Sequence, residues 1–217
     1  MPQLGWHVNI DNCIACRGCE GACKQEFLLA PGMRRRRVVI QEGVAPSGRP
    51  YRQHVTSACM HCGTPACVVA CPVGRLWKDT AENTGLRDAF GMIDNPPTGL
   101  VLVKPARAKH PLGADCIGCK RCAGACPFGG VRHDAATGFA DKCTGCYHRL
   151  FNANLAPARR RPACVITCSA MALTFGELSA LDGSLTTWNG APPPGAREIA
   201  DPAATAPSVR FRPLTLR

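Results

Sequence analysis

Sixteen cysteines fall into four groups of four along this chain of 217 residues, and none is left over. The first and third quartets have the same spacing, C-x2-C-x2-C-x3-C, the second is C-x2-C-x4-C-x3-C, and the fourth is a CxxC and a CxxxC further apart. In chain order the quartets are Cys13, Cys16, Cys19 and Cys23; Cys59, Cys62, Cys67 and Cys71; Cys116, Cys119, Cys122 and Cys126; and Cys143, Cys146, Cys164 and Cys168. Thiolates at such spacings are ligands of cubane iron–sulfur clusters. The sequence therefore predicts four 4Fe-4S clusters.

The residue after each quartet indicates how the quartets are paired. In bacterial ferredoxins three closely spaced thiolates hold one cluster, while the fourth cysteine, followed by proline, reaches a second cluster. Pro72 and Pro127 follow the second and third quartets, whereas Lys24 and Ser169 follow the first and fourth. This difference predicts that the second quartet pairs with the third, and the first with the fourth.

Two other interpretations of the cysteines compete with iron. Structural zinc sites also use four thiolates, but they usually consist of two separated CxxC halves. Eight disulfides would need an oxidising compartment and are typical of shorter chains. Metal analysis and the colour of anaerobically purified protein separate the three interpretations.

Composition limits the classes of function. The formal net charge is +11, but an oxidised cubane with four thiolates carries about −2, so four clusters lower the net charge to about +3. The basic excess is thus mainly a counter-charge, and nucleic-acid binding is not predicted. Aromatic residues make up only 6% of the chain, so the clusters are expected to replace much of the apolar core and the apoprotein to be largely unfolded.

Targeting signals are not recognised in this sequence. The first ten residues lack the pattern of an export signal, and the basic run Arg34–Arg37 lacks the apolar stretch of a twin-arginine leader. No window approaches the roughly 18 apolar residues of a membrane span. Membrane attachment is therefore expected to come through a partner.

The elements that must position the cysteines are predicted to be short. A strand over 6–10 leads into the first quartet and a helix over 19–27 leaves it. Further strands are predicted at 35–41, 51–56, 74–78, 100–104, 131–134, 137–140 and 173–175, with helical turns at 65–70 and from Tyr147. Residues 79–99 are interpreted as a polar insertion, and the tail from Ala191 as a segment that orders only on another chain.

With these motifs in view, the chain resembles the four-cluster electron-transfer subunits of the complex iron–sulfur molybdoenzymes, of the dimethyl sulfoxide reductase type. The similarity covers roughly residues 5–182. The stretches that carry it are DNCIACRGCEGACK at 11–24, CMHCGTPACVVACPVG at 59–74, DCIGCKRCAGACPFG at 115–129, DKCTGCYHRL at 141–150 and PACVITCSAMALTFGEL at 162–178. The segment between the second and third quartets looks longer than in that type, which suggests an extra contact surface.

The resemblance implies an α+β fold of two intertwined bacterial ferredoxin-like domains with short strands, short helices and long loops. One domain would comprise 1–58 and 136–190, the other 59–135, with an extended C-terminal tail at 191–217. It also implies four ligand sets, each completed by a cysteine of the paired quartet. These are set one, Cys13, Cys16, Cys19 and Cys168; set two, Cys143, Cys146, Cys164 and Cys23; set three, Cys116, Cys119, Cys122 and Cys71; and set four, Cys59, Cys62, Cys67 and Cys126.

The function implied by the resemblance is electron transfer in anaerobic respiration, without catalysis in this chain. The partners would be a molybdopterin (Mo or W) catalytic subunit, next to the first and fourth quartets, and a quinone-reactive integral membrane subunit. The protein would be membrane-associated through these partners, on either the periplasmic or the cytoplasmic face. The alternatives are an electron-transfer subunit of a soluble formate dehydrogenase or hydrogenase complex and a free-standing polyferredoxin.

Several residues near the cysteines are candidates for secondary roles. Arg17, Lys120 and Arg121 lie inside cluster loops, where a positive charge would raise a cluster potential or simply point to solvent. His61 is interpreted as a spacer rather than an iron ligand, and Trp77 and Trp188 are interpreted as packing residues. The runs Arg34–Arg37 and Arg159–Arg161 are candidates for docking an acidic partner or for solvated faces.

Overall fold

Short strands and helices alternate with the cysteine loops in the computed structural model, which describes residues 3–45, 47–181 and 202–212. The strands are β1 (Leu4–Asn9), β2 (Arg37–Val44), β3 (Pro50–Ser57), β4 (Leu76–Lys78), β5 (Val101–Val103), β6 (Val131–His133), β7 (Ala140–Lys142), β8 (Leu173–Glu177) and β9 (Val209–Arg212). The helices are α1 (Gly18–Glu26), α2 (Ala66–Val69), α3 (Thr84–Ala89), α4 (Arg121–Gly124), α5 (Tyr147–Leu150) and α6 (Ala163–Ile166). The predicted α+β character with short elements is confirmed.

Strand β1 is the centre of a three-stranded sheet that joins distant parts of the chain. It pairs antiparallel with β8, Trp6 opposite Phe175, and parallel with β9, Trp6 opposite Val209. Trp6 and Val8 alternate inward and are buried, as the period of two in a strand requires. Because β1 leads into the first quartet and β8 follows the fourth, the sheet fixes these two quartets relative to one another.

Helix packing follows the same division of the quartets. Helix α1, which carries Cys19 and Cys23 one turn apart on its buried face, packs against α6 of the fourth quartet. Helix α2 of the second quartet packs against α4 of the third. The remaining strands form three two-stranded ribbons, β2–β3, β4–β5 and β6–β7.

The insertion between β4 and β5 is folded rather than merely polar. It contains α3, which sequence reasoning missed, and is built around a buried ion pair between Asp79 and Arg87. Phe90 stacks between Trp77 and His110, with ring centroids 5.8 and 5.0 Å apart. The insertion therefore packs on the body of the protein, and Trp77 is a packing residue as expected.

The C-terminal segment that the structure describes lies on its own chain. Strand β9 pairs with β1, and the Ser208 amide donates to the Met60 carbonyl at 2.8 Å. The Gly63 amide donates to the Ala206 carbonyl at 2.7 Å. The expectation that the tail orders only on another chain is thus wrong for residues 202–212, whereas 191–201 and 213–217 lie outside the described residues.

Membrane-spanning helices were not expected. Within residues 3–45, 47–181 and 202–212 no helix has the length and apolar character needed to cross a bilayer.

Candidate metal centres

Each cysteine quartet begins with the same backbone turn. The residue two positions after the first cysteine has a positive φ in every quartet: 57° at Ala15, 44° at His61, 64° at Gly118 and 68° at Gly145. A left-handed residue reverses the chain locally, so that the loop curls around a space in front of its thiols. Ala15 and His61 adopt this conformation without being glycine, at a cost of about 1–2 kcal/mol each. The curl is thus common to all four loops, although their sequences differ.

Backbone amides point at several of the cysteine sulfurs. The five amide-to-Sγ contacts are His61 to Cys59 (3.4 Å), Arg75 to Cys71 (3.2 Å), Ala140 to Cys116 (3.3 Å), Gly130 to Cys126 (3.3 Å) and Gly145 to Cys143 (3.4 Å). Donors aimed at sulfur stabilise thiolates and raise the potential of a cluster held by them. Backbone geometry therefore provides part of the electrostatic environment.

The fold brings the cysteines together in four neighbourhoods. The thiol of Cys13 interacts electrostatically with those of Cys16, Cys19 and Cys168. That of Cys146 interacts with Cys143, Cys164 and Cys23, that of Cys122 with Cys71, Cys116 and Cys119, and that of Cys59 with Cys67, Cys62 and Cys126. In each neighbourhood three cysteines come from one quartet and the fourth comes from another quartet.

Burial and mutual repulsion make these thiols hard to ionise without a cation. Burial, then Cys143 and Cys164, raise the pKa of Cys23 to about 12. Burial, then the Cys71 thiol, raise the pKa of Cys122 to about 11. Without a cation the neutral thiols are therefore favoured, and a bound metal centre would replace their protons and neutralise the thiolates.

A partly open, mainly apolar cavity marks the first neighbourhood. Its walls include all four thiols of set one together with Val38, Thr56 and Leu173. Across the described residues, no three His, Cys, Asp or Glu side chains converge closely enough to share a single metal ion. A 4Fe-4S cluster takes four cysteine thiolates, and four cysteines from two quartets line this one cavity, so the residues present fit a cluster.

Exposure differs between the neighbourhoods. Cys16 and Cys119 are exposed, whereas the cysteines of set two are all buried. Ile14 and Ile117, each directly after the first cysteine of its quartet, are both 64% exposed. Two of the four neighbourhoods thus reach the surface beside an apolar side chain.

The positive charges closest to the thiols are not those that the sequence suggested. Arg17, Lys120 and Arg121 are exposed, and the first two occupy left-handed positions before α1 and α4. Instead, Arg36 and Lys142 are buried. Burial alone would lower the pKa of Arg36, but four thiolates raise it above its usual value: those of Cys164, Cys143, Cys19 and Cys23. One signal could have revealed Arg36, because it precedes buried Val38 by two residues and so shares its inward face.

His61 is buried between two cysteines and serves the fold. Its Nδ1 accepts the Val101 amide at 3.1 Å, and its ring stacks on Trp6 with centroids 5.0 Å apart. Burial, followed by the charges of Lys142 and Lys78, places its pKa well below the usual value. The imidazole is therefore neutral, which agrees with a role in packing.

Two arginines of the basic run at 34–37 make contacts within the protein. Arg35 forms two hydrogen bonds with Asp141 and lies 4.0 Å over the Phe27 ring, while Arg36 is buried. Arg34, which forms an ion pair with Glu20, has a side chain that is 58% exposed. Docking of an acidic partner by this run stays a prediction. Trp188, interpreted as a packing residue, lies outside the described residues.

Comparison with known proteins places this geometry in a family. Residues 51–178 match the model of the 4Fe-4S dicluster domain. The electron transfer subunit of thiosulfate reductase from Salmonella typhi is 34% identical over 179 residues, covering 82% of this chain and 77% of the relative. One subunit of sulfite dehydrogenase from Allochromatium vinosum (28%; 86% and 73%) and one subunit of anaerobic dimethyl sulfoxide reductase from Escherichia coli (28%; 82% and 76%) are similar as well.

These matches confirm the resemblance seen in the motifs, the 4Fe-4S cofactor and the absence of a catalytic role in this class of subunit. The chain belongs to the 4Fe-4S dicluster domain family, among the iron–sulfur electron-transfer subunits of molybdoenzyme complexes.

Proposed function

We propose that this chain carries four 4Fe-4S clusters and relays electrons between a molybdopterin (Mo or W) catalytic subunit and a quinone-reactive membrane subunit. The observation that carries the proposal is the gathering of all sixteen cysteines into four neighbourhoods of four. When bound, each cluster supplies a site that accepts and donates one electron.

The ligand sets of the proposal are sets one to four as defined above. Their support is that one thiol in each set interacts electrostatically with the other three. The packing of α1 on α6 and of α2 on α4 supports the two intertwined domains, 1–58 with 136–190 and 59–135. The tail at 191–217 is assigned to neither domain.

Contacts between the sets suggest their order. Cys164 of set two interacts with Cys19 of set one, and Cys67 of set four with Cys122 of set three. Lys142 connects the middle pair, because its Nζ donates to the Cys143 carbonyl at 2.6 Å and its charge acts on Cys59. The order is therefore one, two, four, three, and the exposed cysteines Cys16 and Cys119 lie in the terminal sets.

The residues of the chain serve this series in two ways. The short elements hold neighbouring sets close together, which matters because electron tunnelling weakens steeply with distance. The surfaces beside Cys16 and Cys119 are the points where partners would approach, with Ile14 and Ile117 as apolar contacts. By family resemblance the set one end faces the catalytic subunit and the set three end faces the membrane subunit.

Co-purification and a cysteine variant test the proposal. Anaerobic isolation should give a brown complex with about sixteen irons and sixteen sulfides per chain, together with a molybdopterin subunit and a multispan protein. Cys119→Ser should abolish quinol-linked turnover while turnover with a soluble dye at the catalytic subunit persists. Unchanged quinol-linked turnover in that variant, or isolation of the chain alone as a monomer, would contradict the relay.

A further inference from the structure

Arg36 is a buried guanidinium between two of the cysteine sets. It is 4% exposed, and its electrostatic neighbours are Cys19 of set one and Cys23, Cys143 and Cys164 of set two. Within the described residues none of the recorded ion pairs joins Arg36 to a carboxylate. A buried cation without a counter-ion is strongly unfavourable, so the sulfurs of the two sets are the anions that stabilise it.

Arg36 is connected to set one by hydrogen bonds and to set two by its charge. On one side its Nη1 donates to Thr56 Oγ1 at 3.1 Å, and that hydroxyl lies 3.4 Å from Cys19 Sγ. Because the hydroxyl oxygen accepts from Arg36, its own proton is available to the Cys19 sulfur. On the other side the Arg36 charge acts on Cys164 and Cys23 of set two, and Cys23 follows Cys19 by one turn on the buried face of α1. Set one is thus reached through a threonine and set two directly.

We propose that Arg36 is the shared counter-ion of sets one and two and raises the reduction potentials of both clusters held there. The inference rests on the ligand sets of the proposed function. Each reduction adds one negative charge to a cluster, and a nearby fixed cation in a poorly hydrated site favours that charge.

One charge between two sets shifts both potentials in the same direction, so it adds little to the difference between them. A cation beside a single set would raise that potential alone and create a step in the series. Arg36 raises both and so does not by itself create such a step. The guanidinium stays protonated throughout the working pH range, so this effect does not depend on pH.

The test is an electron paramagnetic resonance redox titration of the isolated complex, in which four midpoint potentials are measured for the wild type and each variant. In Arg36→Met two of the four potentials should fall. In Thr56→Val one of those same two potentials should fall, because this variant loses only the hydroxyl that connects Arg36 with Cys19 of set one. Arg34→Met is the matched control, since it removes an equal charge two residues away from a side chain that is 58% exposed, and all four potentials should remain.

Each other outcome is informative. A fully iron-loaded Arg36→Met complex with unchanged potentials would overturn the inference, and so would an equal fall in Arg34→Met. If Arg36→Met does not retain iron, Arg36→Lys decides: retention of iron in the lysine variant supports the requirement for charge, whereas loss in both variants would overturn it. Fewer than four potentials in the wild type would instead refute the proposed number of clusters.

Discussion

At the residue scale, Gly5 shows how closely the C-terminal segment approaches β1. A Cβ at this position would overlap the Ser208 carbonyl oxygen, and Leu178 Cδ1 would lie 3.0 Å away. The neighbouring Trp6 amide donates to that same carbonyl at 3.1 Å. The contact between β1 and β9 therefore requires glycine for space.

We predict that Gly5→Ala lowers the stability of the loaded protein by about 1–3 kcal/mol, because backbone must move to admit the methyl group. Thermal unfolding should shift down by several degrees. Gly21→Ala is the control, since a Cβ there meets nothing within 4 Å and alanine favours helix α1. Equal melting temperatures for the two variants would show that the approach of β9 is not tight.

A second residue-scale contact joins the first and fourth quartets. Glu26, at the end of α1, accepts hydrogen bonds from Arg149 at 2.8 Å and His148 at 2.7 Å, both on α5. Burial opposes the charge of Glu26, but His148 and Arg149 hold its pKa below the usual value. The carboxylate form is thus favoured by folding.

Glu26→Gln should therefore destabilise the loaded protein at neutral pH by about 1–3 kcal/mol. The wild-type advantage is present above the unfolded-state pKa of about 4.3 and is lost as the pH falls through the lower folded-state value. Melting temperatures of the two proteins should accordingly differ at pH 7 and converge in acid. Asp94→Asn, at an exposed residue, should match the wild type. A constant gap between Glu26→Gln and wild type at all pH values would contradict the assignment.

At the scale of elements, the insertion between β4 and β5 depends on one ion pair. The Asp79 carboxylate is fully buried and binds Arg87, the Thr98 amide at 2.8 Å and the Thr98 hydroxyl. Arg87 also donates to the Met92 carbonyl at 2.7 Å. These bonds hold both ends of the insertion at one point.

Asp79→Asn should loosen this insertion, because it leaves the buried Arg87 without its counter-ion, at a cost of about 3–5 kcal/mol. Hydrogen exchange of residues 84–99 should become faster, while the cluster signals remain. Asp88→Asn, on the exposed side of the same helix, should leave exchange unchanged. Uniformly faster exchange throughout the chain would indicate that the insertion is not a separable unit.

At the scale of the whole molecule, cysteines take the place that large apolar side chains usually fill. The main core contains Trp6, Leu100 and Phe128, but buried cysteines such as Cys59 and Cys164 lie among them. The second core cluster likewise includes Cys67 and Cys122. The protein thus depends on its metal centres for much of its interior.

Removal of iron with a chelator under anaerobic conditions should therefore unfold most of the chain. Far-ultraviolet circular dichroism should lose its signal in step with visible absorbance, and reconstitution with iron and sulfide should restore both. The raised thiol pKa values mean that an empty site holds protonated thiols, so nothing replaces the lost bonds. A chelated protein with an unchanged spectrum would show that the polypeptide folds alone.

The cysteine motifs were enough to predict the cofactor and the family, and local residue patterns predicted most of the short elements. Spacing carries this information because a cubane imposes a local loop geometry that few other sites share. Helix α1 and the hairpin β2–β3 were predicted nearly to their ends. The cysteine spacing of the helix and the alternation of polar and apolar residues in the strands are both local patterns. Helix α3 and strand β9 were missed, because each is stabilised by distant partners, Asp79 in one case and β1 in the other.

The sequence by itself determined which atoms can hold iron, because thiolate chemistry resides in the residue type and its nearest neighbours along the chain. Only the tertiary structure decided which charge stands beside those atoms. Arg17 and Arg36 are the same type of residue, yet Arg17 is exposed and Arg36 lies between two thiolate sets. The effect of a charge depends on distance and on the exclusion of water, and both arise from contacts between segments far apart in sequence.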